Sequence, residues 1–172
     1  HEKLNIPNEK IRIVGTGFEH MNDITEDERI FNRFQDLEKH KYYYGMGSQY
    51  PYKNFKWIVE VAKRNPDKTF CVAGKKTNIE NNIDDSPENL IYTGYIEDGE
   101  HKALLKNARA FLHPSKLEGF GIPPLEALSQ GVPVIIANAS CLPEIYGNTA
   151  HYIDPDRYDY DLEELLKEKV KK

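Results

Sequence analysis

Cysteine, clustered positive charge and long apolar runs are all scarce in this sequence, and each scarcity argues against a class of protein. The two cysteines, Cys71 and Cys141, lack the spacing of metal ligands, so we expect reduced thiols and no disulfide framework. The 23 basic residues are outnumbered by 28 acidic residues and form no basic block, so nucleic acid is not an expected partner. No apolar stretch approaches the length of a transmembrane helix, so no membrane-spanning segment is expected.

What the sequence does contain is typical of one globular domain, with 172 residues of which 39% are apolar and 30% charged. Strands are predicted at residues 11–14, 41–46, 69–73, 90–93, 110–113, 132–137 and 150–153. Helices are predicted at 26–39, 55–64, 101–108, 125–129 and from 161 onward, and a long loop at 75–88. This alternation indicates an α/β fold, a doubly wound parallel sheet in a single Rossmann-like domain.

The most informative stretch is residues 118–126, Glu-Gly-Phe-Gly-Ile-Pro-Pro-Leu-Glu. Glu118 lies in a glycine-punctuated loop, and Glu126 follows eight residues later in the first turn of a helix that Pro123 and Pro124 are suited to begin. The free N–H groups and positive dipole end of such a helix favour an anion, while carboxylates beside them accept hydrogen bonds from hydroxyls. That combination suits a nucleotide-sugar.

The surroundings of this stretch carry a resemblance to a known family. The segment His-Pro-Ser at 113–115 precedes it, and Gly-Val-Pro-Val-Ile at 131–135, Pro-Glu-Ile at 143–145 and Asp-Pro at 154–155 follow it. Together these segments resemble the donor-binding half of the family 4 glycosyltransferases, which have the GT-B architecture and a Glu-x7-Glu hallmark. The resemblance extends over residues 10–154 and is most specific in its second half.

The resemblance implies a retaining glycosyltransferase that moves a sugar from a UDP- or GDP-linked donor to an acceptor hydroxyl, with no bound cofactor or metal. It implies that residues 1–172 form the C-terminal donor-binding domain of a two-domain enzyme. The N-terminal acceptor domain would then be absent, so we expect this chain alone to be inactive. Polysaccharide synthesis in the cytoplasm, peripheral to the membrane in the full-length protein, is the expected setting.

The resemblance also implies roles for individual residues. Lys53, in the pair Lys53-Asn54, matches the lysine that contacts the donor phosphates, whereas Ser48 stands where the family commonly has an arginine. Glu126 matches the glutamate that accepts hydrogen bonds from the ribose hydroxyls. Glu118 matches the glutamate beside the reacting carbon of the donor sugar, and we assign it as the catalytic residue.

Further donor contacts are expected from the loops that follow the strands. Gly47 lies in the loop before Lys53, Lys75 could supply charge in place of the missing arginine, and Ile96 lies where the family holds the nucleobase. Backbone N–H groups from the glutamate loop are expected to contribute at Phe120, Gly121 and Ile122.

Several residues allow two interpretations. His113 either hydrogen-bonds the sugar or fills the end of its strand, Phe120 either offers its N–H or plugs the core, and Tyr95 fits a packed aromatic residue better than a base-stacking platform. The consecutive tyrosines at 42–44 point to alternate faces of a strand and so cannot form one sugar platform. A GT-B epimerase or phosphorylase, and a non-catalytic nucleotide-binding or interaction domain, remain as alternative functions. The departure at Ser48 gives the non-catalytic alternative some weight.

Overall fold

The core of the molecule is a six-stranded parallel sheet. The computed structural model describes residues 6–12, 15–47, 50–74, 86–168 and 170. The strands are β1 (Tyr42–Met46), β2 (Thr69–Ala73), β3 (Leu90–Gly94), β4 (Ala110–His113), β5 (Val134–Ala137) and β6 (His151–Ile153). Their order across the sheet is β3-β2-β1-β4-β5-β6, with every neighbouring pair parallel. The prediction of a doubly wound parallel sheet in one α/β domain is confirmed.

Seven α-helices are described along with the strands. They are α1 (His20–Asp23), α2 (Ile30–Arg33), α3 (Phe55–Arg64), α4 (Asp98–Lys106), α5 (Ile122–Ser129), α6 (Leu142–Tyr146) and α7 (Leu162–Lys167). Two short 3₁₀ helices span Asn8–Lys10 and Pro51–Lys53. Helix α4 begins three residues before its predicted start, because Glu97 and Glu100 form a reciprocal capping box with the first backbone N–H groups.

The three tyrosines of β1 show how the sheet is covered on both faces. All three side chains are fully buried, and each hydroxyl has a partner. Tyr42 and Tyr44 point to α4, where their hydroxyls meet Leu104 O at 2.6 Å and His101 Nδ1 at 2.8 Å. Tyr43 points to the opposite face and donates to Glu163 of α7 at 2.7 Å. The predicted alternation is therefore confirmed, and these rings belong to the core.

The structure corrects several predicted elements. The helix predicted at 26–39 is only α2, because Phe34 leaves the helical region with φ −127° and ψ 74°. Ile30 is buried from α2 itself, whereas Leu37 is buried from the irregular segment that follows. Ile11 and Arg12 are not in a strand, and the rest of that prediction, with most of the loop at 75–88, lies outside the described residues. Helix α6 was not predicted, because five residues are too short for a periodic pattern.

Candidate functional site

The candidate site lies where the strand order reverses, between β1 and β4. In an open parallel sheet, the crevice beyond the carboxyl ends of the strands at this switch point is where ligands bind. Lys53 follows β1 and Glu118 follows β4, and their side chains meet with Lys53 Nζ 2.8 Å from Glu118 Oε1. Two residues to which the resemblance gave roles, 65 positions apart, are thus in direct contact.

Asn54 fixes the loop that carries Lys53. Its backbone is left-handed, with φ 56° and ψ 39°, and α3 begins directly after it. The buried side-chain amide donates to Pro114 O at 3.2 Å and to Pro155 O at 2.9 Å. It therefore ties the loop after β1 to the loops after β4 and β6. Sequence reasoning used Asn54 only as part of a motif, whereas the structure gives it a role in holding three loops together.

Glu118 lies in a largely buried, positively charged environment. Its side chain is 10% exposed, and His113 Nε2 lies 2.9 Å from the same oxygen that Lys53 contacts. Burial alone would raise the pKa of Glu118, but the contacts with His113 and Lys53 outweigh burial and lower the pKa to about 2. Glu118 is therefore an ionised acceptor at neutral pH.

His113 is the most buried residue of the cluster that it forms with Lys53 and Glu118. The ring is 4% exposed and stacks on Phe111, with ring centroids 6.2 Å apart. Within the described residues its Nε2 has no hydrogen bond of ordinary alignment, so the 2.9 Å approach to Glu118 is an ion-pair distance without the direction of a strong hydrogen bond. His113 thus both fills the end of β4 and directs a polar atom at Glu118.

The loop before α5 makes a close turn that requires glycine. Gly121 has φ 87°, and a Cβ there would lie 2.6 Å from Leu142 Cδ2, so both the backbone and the space exclude a side chain. Tyr146 donates a hydrogen bond to Gly121 O, which fixes the turn. Phe120 is partly exposed and outside the buried core, and Ile122 is partly exposed at the first position of α5. The first N–H groups of this helix have no partner inside it.

The position of Glu126 corrects one prediction. Helix α5 begins at Ile122, which places Glu126 in its second turn and not in its first. The side chain is 12% exposed, and His20 Nε2 lies 2.8 Å from Oε1 while His101 Nε2 lies 3.4 Å from Oε2. Burial would raise the pKa of Glu126, but the contacts with His101 and His20 outweigh burial, and the pKa is lowered.

Sequence reasoning missed both histidines of this cluster. His101 lies on α4 and His20 on α1, and they come 25 and 106 residues before Glu126. No motif spacing joins them, since only the packing of three helices brings them together. The one signal in the sequence was His101, which lies on the apolar side of the helix predicted at 101–108.

The remaining predicted site residues that the structure describes lie along the same end of the sheet. Gly47 has φ 139°, and its carbonyl oxygen lies only 2.1 Å from where a Cβ of Gly74 would be, so the loops after β1 and β2 are in contact. Ile96 is mostly buried just beyond β3. Tyr95 is 75% exposed, so the expectation of a packed aromatic residue there is wrong. Lys75 and Ser48 lie outside the described residues.

Among the described residues, no group of three or more His, Cys, Asp or Glu side chains is arranged to hold a metal ion. None of the helices in the described part of the chain is long and apolar enough to cross a bilayer.

The fold and the site together define the class of protein. A parallel sheet in the order β3-β2-β1-β4-β5-β6, with an acid–base pair at its switch point, is a Rossmann-like domain of the kind that makes up half of a GT-B glycosyltransferase. The family follows from the sequence, because residues 26–171 match the model of the glycosyl transferases group 1. The chain belongs to this family.

Curated relatives include mannosyltransferases. The chain is 28% identical over 159 residues to the O-antigen chain mannosyltransferase RfbU of Salmonella typhimurium, covering 88% of this chain and 42% of the relative. It is 46% identical over 68 residues to the O-antigen chain mannosyltransferase B of Escherichia coli, covering 40% of this chain and 18% of the relative. The chain thus spans less than half the length of either of these relatives.

Solved structures confirm the fold. Anabaena HepE, crystallised with UDP-glucose, superposes with a TM-score of 0.74 at 15% identity, over 96% of this chain and 49% of HepE. A glycosyltransferase from Rickettsia africae gives the same TM-score and identity over 94% of this chain and 48% of that protein. At this identity the likeness concerns the fold alone.

Proposed function

We propose that this chain is the donor-binding domain of a retaining glycosyltransferase and that its switch-point crevice binds a nucleoside-diphosphate sugar. The observation that carries the proposal is the contact between Lys53 and Glu118 at 2.8 Å, in the crevice where the fold binds ligands. A cation for the diphosphate and an acceptor for sugar hydroxyls are therefore neighbours, as a ligand with phosphate next to sugar requires.

The ion pair suggests how the donor would enter. Without a ligand, Lys53 and Glu118 neutralise each other in a site where their side chains are only 21% and 10% exposed. A diphosphate would draw Lys53 to itself by a charge-assisted contact, and Glu118 would keep His113 as its partner. The freed oxygen of Glu118 would then accept a hydroxyl of the donor sugar. In this way the donor exchanges one ion pair for two ligand contacts.

Glu126 and the first N–H groups of α5 would complete the donor site. Glu126 would hold the ribose hydroxyls, and the N–H groups of Gly121 and Ile122 would face the diphosphate at the positive end of the helix. Gly47 and Phe120 would add backbone contacts, Ile96 would lie beside the nucleobase, and Lys75 would add charge. Stabilising the leaving diphosphate lowers the barrier to breaking the bond between it and the sugar.

Transfer also needs an acceptor hydroxyl next to the sugar carbon. We propose that a second domain places this hydroxyl, because a GT-B cleft has two walls and this domain supplies one. Mannose is the first donor sugar to test, since relatives from Salmonella and Escherichia coli are named mannosyltransferases. A polysaccharide acceptor, assembled in the cytoplasm or at the membrane surface, is proposed on the same ground.

The first experiment is a thermal-shift screen of the domain against UDP, GDP, ADP and their sugar conjugates, because a ligand of the native state raises the melting temperature. The nucleotide that binds is then titrated calorimetrically against Glu126→Gln and Glu118→Gln. We expect Glu126→Gln to weaken the free nucleotide and the nucleotide-sugar alike, and Glu118→Gln to spare the free nucleotide. Equal losses for both ligands in both variants would show that the roles are wrongly assigned.

A further inference from the structure

Four polar side chains are linked in a row that begins at Tyr44 in the core, continues through His101 and Glu126, and ends at His20. The Tyr44 hydroxyl meets His101 Nδ1 at 2.8 Å, and His101 Nε2 lies 3.4 Å from Glu126 Oε2. On the other oxygen, His20 Nε2 lies 2.8 Å from Oε1. The four residues come from β1, α4, α5 and α1, so most of the domain contributes to the setting of one carboxylate.

The partners of His101 determine which of its nitrogens carries the proton. Tyr44 is completely buried, and burial raises the pKa of its hydroxyl well above the ordinary value, so Tyr44 is a neutral phenol that can donate. Glu126 is an ionised carboxylate that can only accept, so the Nε2 that faces it must carry a proton. In a neutral imidazole Nδ1 is then the acceptor, and it accepts from the Tyr44 phenol. The network therefore assigns the N–H of His101 to the nitrogen that faces Glu126.

The segment that carries His20 is fastened to α4. Lys102 Nζ donates to Met21 O at 2.6 Å and to Ile24 O at 2.8 Å, and the Met21 side chain is buried. Asp27 N donates to Gly99 O at 3.0 Å, so the segment is tied again just beyond α1. His20 itself is half-exposed, yet its backbone is held in place beside Glu126.

The remaining hydrogen-bonding capacity of Glu126 fits a diol. A carboxylate offers about four acceptor positions, and the two imidazoles occupy one on each oxygen. One position on each oxygen is left, and the two oxygens of a carboxylate match two hydroxyls on adjacent carbons. The ribose of a nucleotide carries such a pair.

We infer that His20 and His101 are positioning residues for nucleotide binding, and that Tyr44, through His101, fixes Glu126 to accept the two ribose hydroxyls. The inference rests on the proposed donor site. His20 and His101 hold the carboxylate from the protein side, so the ligand meets an acceptor whose rotamer is already set. Tyr44 acts only through His101, because its hydroxyl is fully buried.

The first test needs no ligand. Side-chain nitrogen NMR at pH 7.5 reports which nitrogen of each histidine is protonated. We expect His101 of the wild-type protein to be the Nε2–H tautomer, and Tyr44→Phe to give a mixture, since the phenyl ring keeps the shape and removes the donor. An Nδ1–H tautomer in the wild-type protein would overturn the inference even if Tyr44→Phe does not fold.

The second test measures binding through the ribose. Calorimetry compares UDP and GDP with their 2′-deoxy forms in the wild-type protein, His20→Ala and His20→Gln. We expect His20→Ala to weaken the ribonucleotide about tenfold, the effect of losing one hydrogen bond to a charged group, and to weaken the 2′-deoxy form much less. Glutamine carries a donor of similar reach, so His20→Gln should recover most of the affinity.

His40 provides the matched control. It is exposed in the loop before β1, at the end of the strands opposite the proposed site. Its backbone has φ 62°, which asparagine tolerates. His40→Asn should therefore leave nucleotide binding unchanged. Equal losses of ribonucleotide and 2′-deoxynucleotide in His20→Ala, or no loss in either, would overturn the inference. Absence of binding to the wild-type protein would instead refute the proposed donor site, and the NMR result would still decide whether Tyr44 orients His101 toward Glu126.

Discussion

Glu118→Gln should destabilise the domain at neutral pH and have little effect in acid. The pKa of Glu118 is lowered from 4.5 to about 2, so its charged form is favoured in the folded state. A depressed carboxyl pKa contributes stability above the unfolded value of 4.5, and that stability is lost as the pH falls toward 2. The stabilisation is therefore fully present at pH 7.

The expected magnitude follows from the shift. About 2.5 pKa units at about 1.4 kcal/mol per unit give about 3 kcal/mol at pH 7, falling to about 2 kcal/mol at pH 3.5 and below about 1 kcal/mol at pH 2.5. Since the Glu118 side chain is only 10% exposed, solvent screening removes little of this energy. Lys53 and His113 share the stabilisation, because both contact the same oxygen.

Urea unfolding of the wild-type protein and Glu118→Gln at pH 7, 4.5 and 3.5 measures the difference in the free energy of unfolding. Glu38→Gln is the control, since Glu38 is an exposed carboxylate with a lysine partner three residues away and should show almost no dependence of the difference on pH. A difference for Glu118→Gln that stays constant from pH 7 to pH 3.5 would refute the electrostatic account. The loss would then come from packing.

Three other predictions concern the same crevice. Lys53→Met should weaken nucleoside-diphosphate binding by about 1.5–3 kcal/mol in calorimetry, because it removes a charge-assisted contact to phosphate. Asn54→Ala should lower the free energy of unfolding by about 2–3 kcal/mol, and Asn54→Gly by about 1 kcal/mol less, since glycine also loses the two hydrogen bonds but accepts the left-handed backbone. The isolated domain should transfer no sugar to a panel of acceptors analysed by mass spectrometry, because the proposed function needs a second domain to place the acceptor hydroxyl. An unchanged dissociation constant for Lys53→Met, equal stability of the two Asn54 variants, or turnover of about 1 s⁻¹ or faster would contradict these predictions in turn.

The sheet could be predicted from the sequence because each strand is a short apolar run bounded by glycine, proline or polar residues. Strands β2 and β4 have their predicted bounds, and β1, β3, β5 and β6 differ by one or two residues at an end. Such runs are buried on both faces, so composition alone identifies them. The segment 26–39 was wrongly predicted as one helix, because its apolar residues pack against the core, fully at Ile30 and Leu37 and partly at Phe31 and Phe34, without a long helix.

Only part of the candidate site could be predicted from the sequence. Lys53 and Glu118 could be named, because each follows a predicted strand and each matches a residue of the motif that the sequence shares with the family. Their direct contact could not be named, since it depends on the left-handed turn at Asn54 and the close turn at Gly121. The histidines beside Glu126 were out of reach, because the contact is set by how α1 and α4 pack beside α5.

The electrostatics of the two glutamates also limit the chemistry that they can perform. With a pKa of about 2, Glu118 would need a rise of about five pKa units, or about 7 kcal/mol, before it could be half protonated at pH 7. Losing Lys53 to a bound diphosphate removes only one of its two partners, and His113 stays beside it. We therefore expect Glu118 to stay ionised at neutral pH and not to act as a proton donor. In the proposed function, its role would be to accept a hydroxyl and to place negative charge beside the sugar carbon as the diphosphate leaves. A carboxylate of such low pKa is also a weak proton acceptor, so in the proposed transfer we expect the proton of the acceptor hydroxyl to go to another group, such as an oxygen of the departing diphosphate.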